Sequence, residues 1–182
     1  MSETLRKPAW TPPPVVHAGP HLDDPSRLIG DWFARVFAER MAGLPFLNPL
    51  LSVEVIGVRR VDGDWLGGLV TPWSVQLVLL PGGGTLWVDT PAGVRRRVAL
   101  PVGELWFLAD AGDEGLEAYQ YCALGTSTEG FPDQAAARCF VAEALATVMA
   151  PPPGAPDAAS PEPASPAVDR GRRALFGMGR RR

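Results

Sequence analysis

At 182 residues, the chain has room for one domain of about 100 to 150 residues plus appendages, and two full domains would be cramped. Its net charge of -3 hides an uneven distribution: residues 28–150 hold 14 acids against 8 bases, whereas residues 151–182 hold three acids against six arginines. An acidic body disfavours nucleic acid, whose phosphates need a basic face, and favours a basic partner such as an arginine-bearing peptide.

The opening stretch, MSETLRKPAWTPPP, lacks the apolar core of a secretory leader, and no run approaches the ~18 apolar residues of a membrane span. The cytoplasm is therefore the expected compartment, without membrane insertion. Residues 1–26 are proline-rich and aperiodic, so a flexible lead-in is expected there. His17 and His21 are spaced by four, which on a helix suits a metal, but Gly19 and Pro20 oppose a helix. Neither a metal site nor a cofactor is expected.

The globular domain is expected over residues 27–150. A first helix follows Asp24-Pro25-Ser26, where an Asp or Ser can cap and proline suits the first turn. Leu28, Ile29, Trp32, Phe33, Val36, Phe37 and Met41 recur at helical spacing until Gly43 and Pro45 stop the pattern. From residue 52 to 124 the pattern changes to short apolar runs between turn signals: VEVIGVRRV, WLGGLVT, SVQLVLL, LWVD, VRRRVAL, GELWFLA and LEAYQYCAL. This spacing predicts an antiparallel β-meander of about six strands. Both faces of SVQLVLL are mostly apolar, as in a central strand, whereas Arg95 and Arg97 give VRRRVAL a wet face. A second helix follows Asp133, with Ala137, Val141, Leu145 and Val148 forming its apolar stripe. The fold class is therefore α+β, a sheet packed with an N-terminal and a C-terminal helix. Residues 151–182 read as a proline-rich, disordered linker with a basic end.

Catalytic signatures are missing. Both histidines lie in the lead-in, so no Ser-His or Cys-His arrangement assembles, and Asp62/Asp64 and Asp113/Glu114/Glu117 fall in turns. The glycine runs match neither a P-loop nor a dinucleotide fingerprint. Cys122 and Cys139, 17 apart without nearby histidine, read as free buried thiols. What stands out is WLGGLVTPWSVQLVLLPG, residues 65–82, where Pro72 breaks two strand-like runs and Trp65 and Trp73 flank the break. A packed corner is one reading. The other is a groove in which aromatics and an unpaired strand edge accept an extended peptide. The candidate contacts are Trp65, Thr71, Pro72, Trp73 and Gln76, together with Cys122. The rival to a peptide binder is a small adaptor, or an enzyme whose carboxylates, for example Glu104 or Glu117, gather in a pocket.

Four segments carry a resemblance: DGDWLGGLVTPWSVQLVLLPG (62–82), RRRVALPVGELWFLA (95–109), GLEAYQYCAL (115–124) and DQAAAR (133–138). In this order they resemble the nickel-iron hydrogenase assembly chaperones of the HybE/HupJ type, over about residues 28–150. The resemblance implies a non-catalytic accessory protein that holds the immature hydrogenase small subunit, including its twin-arginine export leader, until cofactors are in place. Other maturation proteins are further possible partners. Where the family has an apolar, SPMFEF-like segment after Cys122, this chain has GTSTEGF (125–131), so a different client specificity is expected if that segment contacts the client. Near the C-terminus, Gly171-Arg172-Arg173-Ala174-Leu175-Phe176 resembles the twin-arginine core of an export leader. It lies at the wrong terminus to direct export, which makes Arg172, Arg173, Leu175 and Phe176 a candidate pseudo-client.

Overall fold

The computed structural model describes residues 11 and 13–151. Asp24 accepts hydrogen bonds from the Ser26 amide at 2.8 Å and its hydroxyl at 2.5 Å, satisfying an amide that the first turn leaves free. Helix α1 then runs over Ser26–Val36, burying Ile29, Trp32 and Phe33. At its end the helix widens into one π turn, Phe37–Met41, closed by the Ala42 amide donating to Phe37 O at 2.8 Å. Single π turns are rare and cluster at functional sites. Here it leaves Glu39 and Arg40 exposed beside a half-buried Phe37.

Six strands follow: β1 (Glu54–Val61), β2 (Asp64–Val70), β3 (Val75–Leu80), β4 (Arg95–Leu100), β5 (Gly103–Asp110) and β6 (Tyr119–Ala123). They form a single antiparallel sheet in the order β1-β2-β3-β6-β5-β4. Thus β1–β3 and β4–β6 are two three-stranded meanders, joined where β3 pairs with β6 from Gln76↔Ala123 to Leu79↔Gln120. The β1–β2 connection is the Asp62-Gly63 turn, in which both residues have positive φ (46° and 88°), the conformation a two-residue hairpin needs. Central β3 is buried along its whole length, as its two apolar faces predict.

Helix α2 (Gln134–Val148) is capped by Asp133, which accepts from the Ala136 amide at 2.8 Å. Its buried stripe is Ala137, Val141, Leu145 and Val148. It lies close over β2, where a Cβ at Gly68 would stand 2.2 Å from Val141 Cγ1. The two helices cover opposite faces of the sheet. On the α2 side, Leu145 and Val148 pack with Leu66, Leu77, Leu79, Val98 and Phe107. On the α1 side, Ile29, Trp32 and Phe33 pack with Trp65, Leu69, Val78 and Tyr119. Cys139 departs from the expected buried thiol: it lies on the outward side of α2 and is exposed, while Cys122 is half-buried and burial raises its pKa.

Two segments depart from expectation for one reason, long-range polar contacts. The run LWVD is no strand. The fully buried Asp64 carboxylate accepts the amides of Gly82 (2.7 Å), Gly84 (3.0 Å), Leu86 (2.8 Å) and Trp87 (2.8 Å), and so captures the whole β3–β4 connection. Glycine is required at Gly84 because a Cβ there would sit 2.1 Å from Asp62 O. The described part of the lead-in is strapped to the sheet. His21 N donates to Pro81 O (2.9 Å), Trp65 Nε1 donates to His21 O (2.9 Å), Arg60 donates to Leu22 O (2.9 Å), and His17 Nδ1 meets Asp89 Oδ2 (2.7 Å).

Candidate functional site

The β2–β3 turn, Thr71–Ser74, is a closed hairpin. Thr71 N donates to Ser74 O at 2.8 Å, and the Ser74 amide donates back to Thr71 Oγ1 at 2.9 Å. Pro72 is buried, and its carbonyl accepts from Asn48 N (2.8 Å) and Thr128 Oγ1 (2.7 Å). Asn48, itself 7% exposed, donates from Nδ2 to Thr128 O (2.8 Å) and Phe131 O (2.9 Å), and its Oδ1 accepts from the Leu50 amide. One asparagine therefore ties three loops together, 42–51, 71–74 and 125–131. The GTSTEGF segment belongs to this knot through Thr128 and Phe131.

With Asn48 turned inward to the knot, three apolar side chains of loop 42–51 are left in solvent, Phe46 at 59% exposed, Leu50 at 61% and Leu44 at 38%, whereas Leu51 is buried. Alongside, the half-buried Trp73 stacks on Phe37 (centroids 6.1 Å apart, 9° between planes) and on Phe33 (6.4 Å). The ledge is thus held by buried hydrogen bonds beneath Phe46 and Leu50 and by aromatic stacking at Trp73, while Phe46 and Leu50 themselves stay exposed. The π turn that carries Phe37 also carries Glu39 and Arg40 to the wall of a hollow of about 270 Å³, lined by Arg35, Glu39, Arg40, Asp113 and Glu114. Asp113 is spoken for. It accepts from Trp32 Nε1 and from Arg40 Nη2, each at 2.5 Å, and the Trp32 bond foremost holds its carboxyl below the usual carboxylate range. Glu39 and Glu114 are exposed and engage in no ion pair among the described residues.

The structure separates the residues grouped from sequence. Thr71, Pro72 and Trp73 lie at the knot. Trp65, paired with Leu80, lies at the opposite end of the β2–β3 hairpin, roughly 20 Å along the strand, with its ring 9% exposed and an Arg60 guanidinium over it. Gln76 is 5% exposed, and Cys122 points to the α2 side. The expected unpaired edge at this hairpin is overturned, because β2 and β3 are each paired on both sides. The sheet ends instead at β1 and β4. Sequence reasoning missed Phe46, Leu50 and Glu39. The one signal for Phe46 and Leu50 was LPFLNPL, an apolar run punctuated by two prolines, which cannot bury itself in a helix or a strand; Glu39 had none. Arg172, Arg173, Leu175 and Phe176 lie outside the described residues.

Glu104 and Glu117 do not converge. Glu104 pairs with Arg97 at 2.9 Å near the start of β5, whereas Glu117 precedes β6 and accepts from Gly19 N at 3.3 Å. Among the described residues no group of three or more His, Cys, Asp or Glu is placed to hold a metal ion. No helix among them is long and apolar enough to cross a membrane.

Comparison with known proteins agrees with this architecture. Residues 24–178 match the family model for the NiFe-hydrogenase assembly chaperone HybE. The chain is 38% identical to the hydrogenase expression/formation protein HoxT of Azotobacter vinelandii over 144 residues, 78% of this chain and 88% of that protein. It is 32% identical to the hydrogenase expression/formation protein HupJ of Bradyrhizobium diazoefficiens over 158 residues, 84% and 90% of the two chains. In fold it is similar to the solution structure of HybE from Escherichia coli, with a TM-score of 0.59 at 24% identity, covering 91% of this chain and 95% of that one. With a family model matched over most of its length and relatives at 38% and 32% identity covered nearly end to end, the chain belongs to the HybE family of nickel-iron hydrogenase assembly chaperones.

Proposed function

We propose that this chaperone acts in the cytoplasm without turnover, and that it holds the hydrogenase small subunit by its twin-arginine leader on the ledge formed by Phe46, Leu50 and Trp73. The observation that carries the reading is the pairing of surfaces. Phe46 and Leu50 stand 59% and 61% exposed, and the neighbouring hollow offers Glu39 and Glu114 as uncommitted carboxylates. A leader of this class joins two arginines to an apolar stretch, so its two parts match the hollow and the ledge respectively. Protein-binding energy concentrates in a few such apolar and aromatic anchors, with charges at the rim steering encounter. The enzyme alternative gains nothing from Glu104 or Glu117, which are both exposed, the first in an ion pair with Arg97.

The test is a titration of fluorescently labelled leader peptide into the full chain and into Phe46→Ser/Leu50→Ser and Glu39→Gln/Glu114→Gln variants. The apolar double variant is expected to weaken binding by about thirtyfold, the loss of two anchors at ~1 kcal/mol each. The carboxylate variant is expected to bind more weakly mainly at low salt, where rim charges count. Unchanged affinity in the apolar double variant, with an unchanged melting temperature, overturns the placement on the ledge.

A further inference from the structure

Taking the ledge as the leader site, we infer that the chain's own C-terminal segment, Arg172-Arg173-Ala174-Leu175-Phe176, occupies that site in the absence of a client and is displaced by the client's leader. The inference rests on the proposed function above and adds a regulatory partner, the chain itself, to the same site.

Where the segment begins is the first argument. Helix α2 is 15 residues long, so its two ends lie about 22 Å apart. Its N-terminal end abuts the ledge, because the Gln134 side chain accepts the Ser52 amide at 2.8 Å and Asn48 binds Phe131 O just before the helix. Its C-terminal end is fixed to the β4–β5 turn by the Val102 amide, which donates to Val148 O at 3.2 Å. The remaining chain therefore leaves the body one helix length from the ledge. Between α2 and the first arginine of the pair stand the 23 residues 149–171, seven of them proline. A chain of that length spans about 25 Å as a glycine/serine-like coil and about 70 Å as a fully extended polyproline helix, so either way it is long enough to cover the gap. A tether that can cover the gap makes binding of its end an intramolecular step with which a free peptide must compete.

Chemistry is the second argument. Beside the apolar ledge the hollow sets three carboxylates, Glu39, Asp113 and Glu114, against Arg35 and Arg40; the two arginines engage Asp113, which leaves Glu39 and Glu114 in no ion pair among the described residues and the hollow net negative. The segment presents Arg172 and Arg173 immediately before Leu175 and Phe176. Basic and apolar groups are thus joined in one short run, the same combination that defines the client's leader. The linker before it is different, with three acids and no base from residue 151 to 169. Only the segment from Arg170 onward is therefore complementary to the hollow. The family match also extends through residue 178 and takes in this segment.

The consequence is a threshold. A tethered pseudo-client excludes weak, non-cognate peptides and yields to a leader that binds tightly. The test measures the affinity of a labelled twin-arginine leader peptide for the full chain, for Arg172→Ala/Arg173→Ala in the full chain, and for a chain ending at Asp169. It also measures binding of a synthetic peptide of residues 168–182 to the truncated chain. The inference expects the double variant and the truncation both to bind leader on the order of tenfold more tightly than the full chain. It further expects the synthetic peptide to bind the truncated chain, to compete with leader, and to lose affinity in Phe46→Ser/Leu50→Ser. Equal leader affinity in all three chains, or failure of the synthetic peptide to compete, overturns the inference while leaving the leader-binding reading intact. If the synthetic peptide binds the truncated chain but the leader binds none of the three, the segment has a site and the client reading falls instead.

Discussion

Replacing Asp64 with alanine would expose how far the fold depends on a single buried carboxylate at the start of β2. The carboxylate is 0% exposed and accepts four backbone amides, those of Gly82, Gly84, Leu86 and Trp87, between 2.7 and 3.0 Å. A hydrogen bond to a charged acceptor contributes about 1.5–3 kcal/mol net, and a buried donor left without an acceptor costs about 1–3 kcal/mol. Four such bonds would nominally exceed 6 kcal/mol, comparable with the whole stability of a small domain. Relaxation of the 82–87 strap and entry of water reduce this, so a loss of about 4 kcal/mol or more is expected for Asp64→Ala. Asp64→Asn keeps the volume but turns an amide donor toward two backbone donors, and about 3 kcal/mol is expected. The neighbouring Arg96 would respond as well. Burial lowers its pKa, the charge of Asp64 opposes that, and Arg96 Nη1 and Nη2 donate to Gln120 Oε1 and Leu86 O. Urea unfolding followed by tryptophan fluorescence measures the change, with hydrogen exchange at residues 82–88 locating it. A loss below about 1 kcal/mol in Asp64→Ala would refute the view that this carboxylate organises the β3–β4 connection.

Other perturbations report on the site and its supports. Asn48→Ala removes both donors of the knot and leaves the Thr128 and Phe131 carbonyls without it, so a loss of about 2–3 kcal/mol and selective proteolysis within residues 42–51 are expected. Trp73→Ala removes a half-buried ring stacked on Phe33 and Phe37, so about 2 kcal/mol is expected by thermal unfolding, with a larger proportional loss of leader affinity. The Glu54 carboxyl is held below its ordinary 4.5 chiefly by the Arg138 hydrogen bond, with Gln134 adding a second. Because the folded-state pKa is the lower one, the stabilisation is present above about pH 4.5 and is lost as pH falls through the folded value. The stability difference between wild type and Glu54→Gln, seen near neutral pH, should therefore vanish in acid. A difference that persists or grows there would contradict the pairing.

Much of the fold could be read from the sequence because most of it is dictated locally. The apolar stripe Ala137, Val141, Leu145, Val148 is the buried stripe of α2, and the continuous apolar run at Val75–Leu80 is the central strand. The failures came where a distant polar group overrides a local pattern. Leu86 and Trp87 have strand-like neighbours, but their amides are taken by a carboxylate some twenty residues earlier. The lead-in is proline-rich, yet the His21 carbonyl is claimed by Trp65 and Arg60. Strand order is likewise non-local, since nothing in either run announces that β6 pairs with β3. At the site, Trp73 was found through the break at Pro72, while Phe46 and Leu50 were not. Their exposure follows from Asn48, whose three loop partners lie 24 to 83 residues away.

The central claim, that this chain holds a hydrogenase small subunit by its leader, is tested most directly by co-purification from hydrogenase-expressing cells. Tagged wild type and Phe46→Ser/Leu50→Ser would each be offered the small-subunit precursor with and without its leader. Recovery of the precursor by wild type alone, and only when the leader is present, is the predicted result. Equal recovery of leaderless subunit, or undiminished recovery by the double variant, would contradict it.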